Sequence, residues 1–487
     1  MKYKIIIKKT FFVSLFALFF ISCEDFDTDL NQEFHQDPTP TEVVSEATAQ
    51  QIYHGWYNTV NSFDGPGLAL TTMADMNTCS WGNAAMRDTS SEPRVAWNNT
   101  VGYSNKKVTT SYFNGLYSLL FDSNNLIKSI DENLIELENP ERTECMARFG
   151  QAVSTGYLAL VFDKVWISDE TGVLNGGEPV SYTEAMDLAI SQLDKAIQIA
   201  ENNSFTIDES FINGQNLSSA EFAKYLNSLA ARMIVNNVRN SDQRDSLDWN
   251  KVLNYANNGI DYDLTVLGDG WENWYSDWVY LSVYPGWCRV DMRVIHLMDP
   301  NTTDYWTEPS GTLPPANSAD LRLTSDFEYL SGNTFYPSRG IYHFSNYRFS
   351  RYDGELHGNN WLGATPEMLK AENDLYKAEA HLRLNQLSDA ANIINSSSRV
   401  LRGGLTPVPA NTQDIANAIH YERSIEILST GMGLGFFEMR RENLLQQGTP
   451  LHFPVPGEAL ESAGLPLYTF GGSEGVAGED YSNGGWR

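Results

Sequence analysis

Ala378-Glu379-Ala380-His381-Leu382-Arg383-Leu384-Asn385-Gln386-Leu387-Ser388-Asp389-Ala390-Ala391-Asn392-Ile393-Ile394 is the stretch that decides the fold. Ala378 and Leu382 extend an apolar stripe that starts at Leu369 and Leu375, at helical spacing. Asn385-Gln386 breaks it, and Leu387, Ala390, Ala391 and Ile394 begin a second stripe. Two amphipathic helices joined by so short a turn must lie antiparallel. Thr365-Pro366 is expected to open the first of them, with proline at an initial position.

The same grammar recurs upstream. Ser181-Tyr182-Thr183-Glu184 is a capping box ahead of Ala185, Met186, Ala189, Ile190, Leu193, Ala196, Ile197 and Ala200. Ser218-Ser219-Ala220-Glu221 precedes Phe222, Leu226, Leu229, Ala230 and Met233 in the same way. Thr39-Pro40-Thr41-Glu42 predicts a helix over about 41–63. The fold class expected is therefore mostly α: tetratricopeptide-like helix pairs forming a right-handed solenoid scaffold. Two long irregular regions, about 64–108 and 263–363, should cover it with minor β-structure. Their aromatic content argues against disorder, and loops this long are commonly functional. Residues 41–487 read as a single domain on this basis.

The chain has 487 residues, with 33 Lys and Arg against 62 Asp and Glu. Lys2, Lys4, Lys8 and Lys9 sit in an acid-free start, so the remainder is still more acidic. Such a surface repels phosphate backbones, so no nucleic-acid partner is expected. After the lysines, Phe11–Ile21 is almost wholly apolar and is followed by Ser22-Cys23. It is too short to span a bilayer and reads as a cleaved signal peptide over 1–22. Cys23 is the expected lipidation site, with 23–40 a tether. Asp25, Asp27 and Asp29 alternate like a calcium loop, but Leu30 and Gln36 stand where Gly and Glu are needed. No metal and no cofactor is expected. Cys79, Cys145 and Cys288 have the spacing of neither a zinc site nor a disulfide framework, and read as buried thiols.

These features, with further segments, resemble the SusD/RagB family along essentially the whole chain. Cys23-Glu24-Asp25-Phe26-Asp27-Thr28-Asp29-Leu30-Asn31-Gln32 is similar to its mature start, and Ala152–Phe162 to its helix of alanines and aromatics. Tyr421-Glu422-Arg423-Ser424-Ile425-Glu426, then Gly435-Phe436-Phe437-Glu438-Met439-Arg440-Arg441, resemble its late arginine-rich segment. Phe453-Pro454-Val455-Pro456-Gly457-Glu458 resembles its closing motif. Gly435 replaces a larger polar residue and Glu442 a tryptophan, which marks a divergent branch. The resemblance implies a lipid-anchored, surface-exposed outer-membrane protein. It would bind an oligosaccharide or polysaccharide, or peptide in some branches, and lid a TonB-dependent outer-membrane transporter.

A glycan site needs aromatic faces and a few polar groups. Trp271-Glu272-Asn273-Trp274-Tyr275-Ser276-Asp277-Trp278-Val279-Tyr280, continuing to Tyr284, Trp287 and Arg289, holds four tryptophans. Trp81, Trp97, Asn98, Asn99 and Tyr103 form an earlier cluster, with Asp75, Asn77 and Arg87 nearby. The ligand set expected is Asp75, Asn77, Trp81, Trp97, Asn98, Tyr280, Tyr284, Trp287 and Arg289; Trp306, Tyr342 and Trp361 are further candidates. Each tryptophan could instead pack in the core, and Trp278–Tyr284 alternates as a buried strand would. No catalytic residue is expected. Gly471-Gly472-Ser473-Glu474-Gly475 matches a nucleophile elbow, but no histidine follows Ser473. Arg423, Glu426, Arg440 and Arg441 read as one buried ion-pair network. A secreted glycosidase, or a helical scaffold that binds only peptide, are the other function classes the residues leave open.

Overall fold

The structure, a computed structural model, describes residues 46–79, 82–134, 137–284, 286–305, 312–332, 344–472 and 480–486. The signal peptide, Cys23, the tether, Thr39-Pro40-Thr41-Glu42, Trp81, Trp306, Tyr342 and Ser473 lie outside them. The chain is mostly α. The helices used below are α1 (Glu46–Asn61), α2 (Gly67–Met73), α3 (Lys107–Asp131), α4 (Pro140–Val161), α5 (Tyr182–Asn202) and α6 (Ser219–Asn236). They continue as α7 (Trp249–Asn257), α8 (Asp277–Val283), α9 (Lys370–Arg383), α10 (Leu387–Asn395), α11 (Thr412–Ile425) and α12 (Leu434–Arg441). Neighbours stack in chain order: α1 on α3 and α4, α4 on α5, α5 on α6, α6 on α7, α7 on α9, and α9 on α10 and α11.

Local chemistry sets the helix starts. Ser181 and Ser218 each accept the N–H of the glutamate three residues on, and that glutamate returns a bond to the serine N–H. α4 sits at the centre. Every residue from Cys145 to Val161 is buried, because small side chains let neighbours close on all sides. A Cβ on Gly150 would lie 2.1 Å from the Ser123 hydroxyl, and one on Gly156 would lie 2.0 Å from the Met233 methyl. Trp56, Tyr53, Phe149 and Tyr225 fill the space beside it, with Tyr53 and Phe149 stacked at 5.6 Å.

The C-terminus of α4 shows how far the late chain serves the early one. A helix leaves its last four carbonyls without partners of its own. Here Leu158 receives the Phe162 N–H, and Val161 receives the Phe453 N–H at 2.8 Å. Ala159 receives the Arg239 guanidinium at 2.6 Å, and Leu160 receives Arg440 at 3.2 Å. Arg440 also donates to the Asn236 carbonyl at the end of α6, at 2.6 Å.

Three expectations are corrected. Thr365-Pro366 lies in a strand, and the helix begins only at Lys370. Trp278–Tyr284 forms α8 and its C-cap, not a strand, because Ser276 caps the turn by accepting the Val279 N–H. The ion pairs form two networks. Arg423 and Arg441 share Glu379 and Glu438, whereas Glu426 joins Arg322, Arg351 and Arg402. Arg440 serves the helix carbonyls already named. Three short antiparallel pairs complete the picture used below: β1 (Asn77–Cys79) with β3 (Cys288–Val290), β2 (Leu264–Leu267) with β6 (Ala364–Met368), and β4 (Phe327–Tyr329) with β5 (Tyr347–Phe349), beside pairs within the helical half. No helix among the described residues is long and apolar enough to cross a membrane.

Candidate functional site: an exposed aromatic cluster

The β2–β6 ladder positions the site. Leu267 pairs with Ala364 at its end. Just beyond, Gly268 N–H donates to the Gly363 carbonyl at 2.9 Å and Gly270 N–H to the Trp361 carbonyl at 3.2 Å. Two loops, 268–276 and 350–363, thus leave one end of the ladder together. Gly268 is required there, since a Cβ would lie 2.2 Å from the Trp361 carbonyl oxygen.

Within the first loop, the Asp269 carboxylate accepts three N–H groups, from Glu272, Asn273 and Trp274, at 2.8–3.1 Å. Burial opposes its charge, but these bonds prevail and hold Asp269 below the usual carboxylate range. The turn sends Trp274 inward against Tyr53, His54 and Tyr57 of α1, and Trp271 outward. Trp278 is buried and donates to Asn61 at 3.0 Å. One turn apart on α8, Tyr280 and Tyr284 place their rings 5.4 Å from each other.

The second loop adds His357 and Trp361. Trp361 meets Tyr280 at 4.3 Å and Trp271 at 4.8 Å, both edge to face. His357 lies 5.6 Å from Tyr280 and from Tyr284. Tyr275 contacts Trp271 at 5.2 Å. Six rings from two loops and α8 therefore converge, and Trp271 and Tyr284 each leave 37% of their surface in solvent. Trp271, Asn360 and Trp361 have φ of +78°, +49° and +65°. A left-handed tryptophan is an outlier that only surrounding structure can hold, and such strain concentrates at functional sites. Burial lowers the His357 pKa, with Arg348 assisting and Asp353 opposing. The ring is thus neutral at pH 7, with one donor and one acceptor nitrogen.

The structure sorts the expected ligand residues. Tyr280 and Tyr284 fall in the cluster. Trp287 follows them, its N–H on the Tyr284 carbonyl and its ring edge-on to Phe63 at 6.0 Å. Asp75 and Asn77 are corrected to interior positions. Asp75 accepts from Arg94, Gln446 and the Trp486 indole at 2.6–2.9 Å, while Asn77 donates to Thr71. Trp97 is corrected to core packing between Phe453 at 4.7 Å and Tyr103 at 5.3 Å. Asn98 is exposed, but its side-chain oxygen closes a turn onto Thr100. Arg289 is corrected to a buried position on β3 opposite Thr78, its pKa lowered to about 10 by burial. Sequence reasoning did not select Trp271, Tyr275 or His357. The available signal was Gly and Asn beside the aromatics, in Asp269-Gly270-Trp271 and His357-Gly358-Asn359-Asn360-Trp361.

No protein-family model matches the chain. No curated protein matches it either. Solved structures do. A SusD superfamily protein from Parabacteroides distasonis superposes with a TM-score of 0.62 at 14% identity, covering 89% of this chain and 100% of that one. One from Bacteroides thetaiotaomicron gives 0.59 at 14% identity over 86% and 93%. A third structure, crystallised with xylogluco-oligosaccharide, gives 0.54 at 16% identity over 82% of each chain. The chain thus has the fold of the SusD superfamily, as its motifs led one to expect.

Proposed function

We propose that this protein is a non-catalytic glycan-binding lipoprotein of the cell surface, which captures oligosaccharide and delivers it to a TonB-dependent outer-membrane transporter. The observation that carries the binding step is the exposed cluster of Trp271, Tyr275, Tyr280, Tyr284, His357 and Trp361. Aromatic faces suit the C–H faces of sugar rings, while phenols and a neutral imidazole suit hydroxyls. Burial, then the neighbouring Tyr284, raises the Tyr280 pKa, so its phenol remains a donor. A neutral ligand fits this chemistry better than a charged one. Asp269, the carboxylate inside the turn, is committed to three backbone N–H groups, which suits a brace and not a proton donor. The lipid anchor and transporter come from the resemblance and from the reading of Cys23.

The test is calorimetry of the mature chain from Glu24 against neutral polysaccharides, oligosaccharides and peptides. Binding of a glycan that stays uncut, lost in a Trp271→Ala/Trp361→Ala variant of unchanged circular dichroism, is expected. Undiminished binding in that variant would refute the site, binding of peptides alone would refute the ligand class, and released sugar would refute the non-catalytic role. Affinity capture from detergent-solubilised envelopes should retain an outer-membrane barrel; its absence would remove the transporter clause.

A further inference from the structure

β1 lies in the first long loop region and β3 in the second, so their pairing joins the two. The register sets Asn77 opposite Val290, Thr78 opposite Arg289, and Cys79 opposite Cys288. One pair earlier, Asp291 N–H donates to the Met76 carbonyl at 3.0 Å. Hydrogen-bonded and non-hydrogen-bonded pairs alternate along an antiparallel ladder. Counting from Met76–Asp291, Thr78–Arg289 is the next hydrogen-bonded pair, and Cys79–Cys288 falls at a non-hydrogen-bonded one. Residues in that position have Cα atoms about 4.5 Å apart. The Cα separations that a disulfide tolerates run from about 4.4 to 6.8 Å.

We propose that Cys79 and Cys288 form a cross-strand disulfide in the exported protein, stapling the two loop regions together. The chain has four cysteines, and the backbone register sets Cys79 opposite Cys288, a buried residue, although they are far apart in sequence. Cys145 lies in α4, where its thiol donates to the Ala196 carbonyl at 3.4 Å and has no cysteine registered opposite it. In the oxidation, the thiols of Cys79 and Cys288 each give up a proton and an Sγ–Sγ bond forms. Two electrons pass to the disulfide of a thiol oxidoreductase or of oxidised glutathione, which becomes two thiols. An exported chain meets such oxidants and a cytosolic chain does not.

The test uses the mature chain from Glu24, secreted into an oxidising periplasm. It is unfolded in urea with iodoacetamide and no reductant, then digested and mapped by mass spectrometry. The expected map shows Cys145 alkylated and the peptides of Cys79 and Cys288 joined, two hydrogens lighter than their sum and separating on reduction. Cys145→Ser should leave the link intact, and Cys288→Ser should leave Cys79 alkylated. If both Cys79 and Cys288 are alkylated in this protein, and remain so after the folded chain is incubated with oxidised glutathione, the proposal fails. It fails equally if either is joined to Cys145.

Discussion

Two aromatic clusters look alike in sequence and have opposite fates in the fold. Trp97 with Tyr103 is roofed by the late chain: Trp97 N–H reaches the Phe470 carbonyl, Thr469 donates back to Trp97, and Phe453 packs on its ring. Trp271, Tyr280 and Trp361 pack on one another at the end of a short ladder, and no late segment roofs them, so Trp271 keeps 37% of its surface in solvent. The difference teaches that aromatic residues in a Gly- and Asn-rich loop become a surface only where no distant segment folds over them. It also separates what each cluster should control, stability in one and ligand in the other.

The largest effect tests the first half of that contrast. Trp97→Ala is expected to cost about 3–5 kcal/mol of stability, read by chemical denaturation, and to leave glycan affinity unchanged while the chain is folded. Next comes acid. His452, beside this cluster and 4.7 Å from Phe470, has its pKa lowered to about 4, chiefly by burial. The unfolded chain takes up a proton near pH 6.5 that the folded chain refuses until about 4, so this histidine costs stability as pH falls through that window. The stability difference between wild type and His452→Gln should shift toward the variant by up to about 3 kcal/mol between pH 7 and 4. A flat difference would break the assignment.

For the exposed cluster, Trp271→Ala and Trp361→Ala should each weaken glycan binding by about 2 kcal/mol, roughly 30-fold, with a far smaller stability change than Trp97→Ala. If they destabilise as much as Trp97→Ala, the two clusters are alike after all. Smallest is Gly268→Ala, whose methyl group meets the Trp361 carbonyl oxygen. It should separate the two loops and lower affinity several-fold, with about 1 kcal/mol lost from global stability.

Much of the scaffold was legible because helix signals are local. The Ser181–Glu184 and Ser218–Glu221 boxes lie within one turn, and each formed as read. Thr365-Pro366 misled because its strand is specified by β2, about a hundred residues earlier in the chain. The site was legible as a region and poorly as residues. Whether Trp97 or Trp271 faces solvent depends on partners as remote as Thr469, 372 positions from Trp97. Asp75 looked like a hydroxyl ligand only because its burial by Arg94, Gln446 and Trp486 cannot be seen in short-range spacing.

The carbonyls at the end of α4 carry a consequence for timing. Two of their partners, Arg440 and Phe453, are made about 280 residues or more after the carbonyls they serve. Until that segment is made, the Leu160 and Val161 carbonyls at the end of the central helix lack the partners that the folded chain gives them. For the exported chain proposed above, such delay would be useful: the keystone arrives late, and the end of the central helix closes after the earlier segments have crossed. A chain stopped at residue 433 should accordingly be cut by protease across α4, where the full chain resists.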